Sequence, residues 1–452
     1  MKIILPVHHF PPHYRAGAEL YTERLARGLI AQGHTVQVVC VERIDRGSRD
    51  AVEAVYAEYA GVPVWRLSLD LRAAPPEWEY ANAPITRWFG ELLDREQPDL
   101  VHLQGGYLIG AGVLAAAQER SIATAVTLHD YWFLCPQITL LRGDNTCCPA
   151  PPADPRGCAW CMQLGSRRYR LPDQLSGGLF GKAAQQFVLQ RAGTQIAERR
   201  QYLNRVLAHV DAAIAPSHFL AGLFDDLLTP EQIHVVRIGI DGLPLRSCRP
   251  RQRDHRLRLG YLGQVSEHKG VHLAITAIRA MPHTDPPVEL HIYGDLERVP
   301  AYVARLRRMI GDDQRISLHG AYRPDELPAI FAQLDATIVP SIWYENSPLT
   351  ILEAQLCNRP VITAAFGGMA ELVQNDVNGL HFQAGDARDL ARQIERLRSE
   401  AGLLERLAQA RVVIPSQAEE LRRLIAIYAA VLSTHGLEHR LSCNNEVPGC
   451  AY

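Results

Sequence analysis

Two carboxylates, Glu345 and Glu353, frame the segment SIWYENSPLTILEAQL at residues 341–356. Between them lie Ser347 and Pro348, just ahead of the apolar Leu349, Ile351 and Leu352. Serine is a good N-cap and proline is preorganised for a first helical position, so a helix is expected to start here with Ser347 as its cap. The backbone amides near Leu349 and Thr350 would then point out of the helix N-terminus, a setting that suits a phosphate. Glu345 falls in the loop before the cap, and Glu353 in the second turn. A carboxylate is a poor phosphate ligand but a good acceptor for sugar hydroxyls. Two of them around one phosphate site point to a nucleotide-diphosphate sugar, ribose on one side and transferable sugar on the other. Lys269 can supply positive charge to the diphosphate.

Other residues of this kind follow other apolar runs. After KIILPV comes the long loop HHFPPHYRAGAE, in which Gly17 leads into a helix. After IATAVTL come His129 and Asp130. RLRLGYLG ends at Gly263, followed by Gln264 and then Lys269; VELHIYG ends at Gly294, followed by Asp295. After PVITAA come Gly367, Gly368 and Glu371. In parallel α/β sheets ligands bind beyond the carboxyl ends of strands, so two such edges facing each other would line one cleft.

Short apolar runs alternate with amphipathic stretches along the whole chain, which predicts parallel sheets covered by helices. Further strands are expected at TVQVVC, DLVHLQ, AAIAPS, IHVVRI, RISLHG and ATIVPS. A helix is expected over Ala18–Ala31, where Tyr21, Leu25 and Leu29 recur every four residues and Gly33 marks the stop. With 452 residues, two domains are expected. The basic segment 242–256 reads as a linker between residues 1–241 and 257–415. A terminal helix at 416–434 would follow, and a tail at 435–452. The fold class expected is α/β, with two Rossmann-like doubly wound domains. A net charge of −2 gives no general pull toward nucleic acid. MKIILPVHHFPP does not read as a secretory signal, and no apolar run approaches the roughly 20 residues of a membrane span. The expectation is a cytoplasmic protein.

The second half resembles the retaining GT-B glycosyltransferases of family four (glycosyl transferases group 1). Its segments GQVSEHKG, VPS, ENSPLTILE, EAQLCNRPVI and GGMAE stand where that family has a glycine-lysine loop, a strand ending in Pro-Ser, the E-x7-E motif, a G-x-P-V-I turn and a G-G-x-x-E turn. The first half is similar more loosely, through AGAELYTERLARGLIAQGHTVQVV and TLHDYW. The resemblance implies a GT-B fold and transfer from a nucleotide-diphosphate sugar with retained anomeric configuration, to a glycan or lipid-linked acceptor, in cell-surface polysaccharide synthesis. It implies that Glu345 and His129 hold the donor sugar, Lys269 the diphosphate and Glu353 the ribose. Gly17 would let backbone approach the diphosphate or acceptor, and Gly367 and Gly368 would shape the loop around the donor sugar. Gly263, Gln264, Gly294, Ser347, Leu349 and Thr350 complete the expected donor site. No catalytic metal is implied. Gln264 departs from the usual arginine, so a nearby arginine would have to substitute; Ala16 replaces a glycine; and Asn358 replaces a turn glycine but tolerates a left-handed backbone.

Five cysteines cluster in residues 135–161, read as an insertion. Cys158 and Cys161, at C-x2-C spacing, could ligate a structural zinc together with Cys135 and one of the adjacent Cys147 and Cys148, with Cys147 taken as the fourth ligand. His8, His9 and His13 also invite a metal reading, although contact with an acceptor is preferred. SRRYRLP and LQRAGTQIAERRQYLNRV are basic with apolar residues interleaved, which suggests peripheral membrane contact or a solvated helix face. Two alternatives stay open: a non-catalytic sugar-nucleotide-binding protein, and a nucleotide-sugar 2-epimerase. A dehydrogenase is disfavoured because no G-x-G-x-x-G opens the first βα turn.

Overall fold

A computed structural model describes residues 1–47, 51–72, 74–241, 245, 248, 254, 256–283 and 287–436. The expected linker 242–256 lies almost wholly outside these residues, and so does the expected tail from 437 onward. Two sheets form. The first contains β1 (Lys2–Val7), β2 (Thr35–Arg43), β3 (Glu53–Tyr59), β4 (Val62–Ser68), β5 (Leu100–Leu103), β6 (Ala123–Thr127), β7 (Ala212–Ala215) and β8 (Ile233–Val235). Their order is β3-β4-β2-β1-β5-β6-β7-β8. The second contains β9 (Leu257–Leu262), β10 (Val288–Tyr293), β11 (Ile316–Gly320), β12 (Ala336–Val339), β13 (Val361–Ala364) and β14 (Gly379–Phe382). Their order is β11-β10-β9-β12-β13-β14, parallel throughout.

The central strands β5, β6, β7, β12 and β13 are buried at every residue. Helices cover both faces, so these strands read as continuous apolar runs rather than alternating ones. The strand order reverses between β1 and β5, and again between β9 and β12. Each reversal opens a crevice beyond the strand ends, where chain connections diverge.

The hairpin β3–β4, antiparallel at the edge of the first sheet, and the edge strand β14 were not among the expected strands. Ala60 and Gly61, both at positive φ, turn the hairpin. An alternating strand with a glycine-containing two-residue turn is a readable signal, hidden here by many small and charged residues. The first helix runs Gly17–Ala31, and Gly33 follows at φ +82°. Asn358 adopts the left-handed backbone its turn requires, at φ +53°.

The last helix, Gln417–Thr434, lies on the first domain. Leu424, Tyr428, Val431 and Leu432 join that domain's core. Tyr428 Oη meets His102 Nδ1 at 2.6 Å, and Glu420 pairs with Arg24 at 2.9 Å while accepting the Gly239 amide at 2.8 Å. The C-terminal chain thereby clamps the crossing between domains.

Candidate active site between the two sheets

The residues beyond the two switch points meet. Lys269 sits just before Gly270, whose φ of +72° turns the chain into the helix Val271–Ala280. The Lys269 ammonium nitrogen, Nζ, lies 2.6 Å from Glu345 Oε1 and 5.1 Å from the centre of the Trp343 ring. Ser341 Oγ donates to the same Glu345 oxygen at 2.7 Å. Burial alone would push the Glu345 carboxyl up, but the Lys269 charge and the hydrogen bonds leave it below its ordinary value. Glu345 is therefore an ionised, buried and oriented acceptor.

Glu353 differs. It lies in the helix Leu349–Leu356, and burial without a compensating cation pushes it up to about 7. The expected start of this helix is off by one residue. Pro348 is the cap, and no side chain caps the helix. Ser347 instead borders a cavity of about 320 Å³ with Arg237 and Glu371. Proline has already removed one orphan amide, so a serine cap is not required there. Leu349 is exposed, while Thr350 Oγ1 donates to Leu262 O at 3.1 Å and ties the helix N-terminus to the end of β9.

The glycines divide into two kinds. A Cβ on Gly294 would lie 2.0 Å from Gly263 O, and one on Gly368 would lie 1.9 Å from Asn346 O. These two are demanded by close backbone approach. Gly17 has nothing within 4 Å of such a Cβ, so the space beside it is open. Gly367 sits at φ +62° and Gly263 at φ +143°. Gln264 contributes its carbonyl to Tyr261 Oη at 2.6 Å. Gly368→Ala is expected to push the 345–346 loop away from its place and lower turnover at least about tenfold, because a misplacement of about 1 Å in a positioning loop is that costly. Unchanged steady-state kinetics for this variant would contradict the packing argument.

His129 follows β6. Burial pushes its imidazole down to about 3, so it acts as a neutral hydrogen-bonding group. Its ring meets Gln104 Oε1 at 3.3 Å and packs edge-on to Tyr21. Several neighbouring residues were not foreseen. Asn346 Nδ2 donates to His129 O at 2.9 Å, and the Tyr131 hydroxyl reaches both Asn346 Oδ1 and Tyr344 O. These bonds join the two domains directly across the cleft. Glu371 works the same way: its carboxylate accepts the amides of His218 and Phe219 at the start of a first-domain helix. Asp130 Oδ1 accepts the Trp132 amide. Deeper in the first domain, His8 Nε2 lies 3.3 Å from Glu19 Oε1. His8 Nδ1, Glu19 Oε2 and Gln104 Nε2 are buried without a partner. Such orphan polar atoms are costly unless something binds them.

With Cys147 as the fourth ligand, the expected zinc set is not gathered together. Cys147 Sγ turns away and donates to Ile342 O across the domain boundary at 3.0 Å. Cys135, Cys158 and Cys161 instead share a cavity of about 370 Å³ with Cys148. Cys161 Sγ accepts from Gln137 Nε2 at 3.1 Å. Among the described residues no group of three or more histidines, cysteines, aspartates or glutamates is placed to hold a metal ion. The C-x2-C pair sits within the helix Pro155–Gln163. His9 Nδ1 is taken by Val41 O, and His13 Nδ1 by Glu42.

A family model described as Glycosyltransferase Family 4 matches residues 15–242, and one described as Glycosyl transferases group 1 matches residues 256–400. The chain is 30% identical over 229 residues to the D-inositol 3-phosphate glycosyltransferase of Salinispora arenicola, covering 45% of this chain and 51% of that protein. It is 28% identical over 202 residues to the amylovoran biosynthesis glycosyltransferase AmsK of Erwinia amylovora, covering 41% and 47%. The chain thus spans about half the length of the curated relatives it matches. Among solved structures it is similar to a glycosyltransferase from Rickettsia africae, with a TM-score of 0.63 and 16% identity over 95% of this chain and 98% of that one. It is also similar to Anabaena Alr3699/HepE in complex with UDP, with a TM-score of 0.61 and 18% identity over 96% and 100%. The shared architecture, two parallel-sheet α/β domains around a cleft, is the GT-B fold.

Proposed function

The chain belongs to glycosyltransferase family 4, and on that premise we propose that it moves a sugar from a nucleotide-diphosphate sugar to a hydroxyl of a glycan or lipid-linked acceptor, with retained anomeric configuration. One observation supports this most: an ionised Glu345 paired with Lys269, and a second, cation-free Glu353 on the helix whose exposed N-terminus begins at Leu349. Glu345 accepts hydroxyls of the transferable sugar, and Glu353 accepts those of the ribose. Lysine carries three donors. One holds Glu345, and the others face the departing diphosphate together with the Leu349 and Thr350 amides.

In the transfer the bond from the anomeric carbon to the diphosphate oxygen breaks, and a bond to the acceptor oxygen forms on the same face. The acceptor proton leaves with a diphosphate oxygen. Charge develops on the leaving diphosphate, and preorganised positive charge there is the largest lever available to the protein. Gln264 brings no charge. An arginine from nearby has to substitute, and Arg298, which adds slightly to the lowering of His268 that burial and Lys269 chiefly cause, is the one offered. Neutral His129 hydrogen-bonds the donor sugar from the first domain, and the unpartnered atoms of His8, Glu19 and Gln104 mark the acceptor end. We propose a role in cell-surface polysaccharide synthesis; the AmsK relative is named an amylovoran biosynthesis glycosyltransferase.

A thermal-shift and hydrolysis screen against UDP-, GDP-, ADP- and dTDP-sugars tests this. The UDP-glucose complex of the Anabaena neighbour makes uridine donors the first to try. One nucleotide series should raise the melting temperature of the wild type and release free sugar slowly. Stabilisation by a nucleotide sugar without any release or transfer would favour a non-catalytic binding protein, and no stabilisation by any of the four would overturn the donor site.

A further inference from the structure

The insertion between β6 and β7 carries a surface that the transfer chemistry does not use. Its short helices Arg167–Leu175 and Leu179–Phe187 are joined by a turn at Gly177 and Gly178, both at positive φ. Large apolar side chains point outward from them. Leu175 is 88% exposed, Phe187 76% and Val188 75%; Leu171, Leu179 and Phe180 are exposed as well. Phe180 and Phe187 are seven residues apart, so they share a helix face. Neither helix buries more than one residue, Gly181. Large apolar side chains left exposed together on one helical pair point to an interaction site.

Charge says what that site meets. Residues 167–191 hold five arginines and lysines against one aspartate, a net charge of +4 in a chain whose net charge is −2. The aspartate, Asp173, faces inward: it accepts the Gly181 amide at 2.8 Å and the Trp160 indole at 3.4 Å. Arg167, Arg168, Lys182 and Arg191 are exposed around the apolar residues. Apolar side chains ringed by unscreened basic ones match a bilayer bearing anionic headgroups: the apolar groups enter the acyl boundary and the cations stay at headgroup level. An ordinary protein interface core is instead depleted of charge. Among the described residues no helix is long and apolar enough to cross a membrane, so attachment through this face is peripheral.

We propose that the helical pair 167–188 docks the protein on the surface of an anionic lipid bilayer. The insertion leaves β6 at the cleft edge, through His129 and Asp130, and touches the second domain through Cys147. Docking therefore holds the cleft near the membrane, where a lipid-linked acceptor resides. Docking itself does not depend on the donor reading, because nucleotide binding is measured separately.

The full-length protein should co-sediment with vesicles of phosphatidylcholine mixed with phosphatidylglycerol, and not with phosphatidylcholine alone. High salt should release it. Leu175→Asp with Phe187→Asp should abolish binding, and Arg168→Glu with Lys182→Glu should weaken it at least about tenfold, since each basic residue near an anionic surface is worth about fivefold. All four positions are exposed, so the melting temperature and its shift with nucleotide sugar should not move. Failure of the wild type to bind anionic vesicles, equal binding to neutral ones, or wild-type binding by the Leu175/Phe187 variant would each overturn the proposal. So would a wild-type dimer that the apolar variant converts to monomer without any vesicle binding.

Discussion

Lys269→Ala is expected to lower sugar transfer about a thousandfold or more while also destabilising the free protein. Both effects have the same origin. The Lys269 ammonium is the partner of Glu345, whose side chain is only 8% exposed. Removing one member of a buried ion pair leaves an uncompensated charge and typically costs about 3–5 kcal/mol. The catalytic loss comes from the departing diphosphate, which no longer meets a fixed cation; losing one such preorganised donor alone costs about a hundredfold to a thousandfold. The two effects separate in a double variant. Lys269→Met with Glu345→Gln removes both charges and should recover most of the stability, because no buried charge is left unpaired, but none of the transfer. Melting curves and initial rates on the wild type and the two variants decide it. Recovery of transfer in the double variant, or transfer by Lys269→Ala within about tenfold of wild type, would show that the lysine serves only to neutralise Glu345.

Glu353→Gln should have opposite effects on the free and the donor-bound protein, both dependent on pH. Burial raises this carboxyl to about 7, well above the ordinary glutamate value of 4.5. The folded state therefore holds the proton more tightly than the unfolded one. The stabilisation that follows is complete below about pH 4.5 and is lost as pH rises through 7. The loss amounts to at most about 3 kcal/mol, because each tenfold gain in proton affinity on folding is worth about 1.4 kcal/mol. Glutamine never ionises, so the variant should melt higher than wild type at pH 8 and about equally at pH 4.5. Donor binding runs the other way. Ribose hydroxyls donate to the carboxylate, so wild-type affinity for the donor should climb with pH until about 7 and then level off. In the variant, affinity should be weak and flat. Titration of nucleotide sugar by calorimetry at several pH values reads this directly. A pH-independent wild-type affinity would mean that Glu353 does not face the ribose.

Gly368→Ala and the vesicle experiment probe different parts of the molecule, the loop behind Glu345 and the outer face of the insertion. Neither should alter the pH profile set by Glu353. Gly368→Ala and Lys269→Ala both act through Glu345 and are expected to couple, whereas the vesicle result, at a site that shares no partner with them, should add independently.

Local chemistry in the chain determined a great deal. Eleven of the strands were readable: KIILPV, AAIAPS and ATIVPS as unbroken apolar runs, which strands buried on both faces have to be, and VELHIY by its alternation. The helix after Pro348 was readable because proline fixes its own φ, and the left-handed turn at Asn358 because few residues tolerate one. The pairing of Glu345 with Lys269 was within reach, since both follow strands that flank the same switch point. Tertiary structure alone decided the rest. Asn346 on the His129 carbonyl joins residues 217 positions apart, and Glu371 on the Phe219 amide joins residues 152 apart. No periodicity encodes such pairs, because they depend on how the two domains close. The cysteines make the same point in reverse. Their spacing suggested one metal site with Cys147 in it, but a domain contact turns Cys147 toward Ile342 and leaves Cys148 beside Cys135, Cys158 and Cys161. The helices proposed to meet the membrane were legible as basic and apolar in sequence. Only the fold decided that Leu175 and Phe187 stay outside the core while Trp160 is buried.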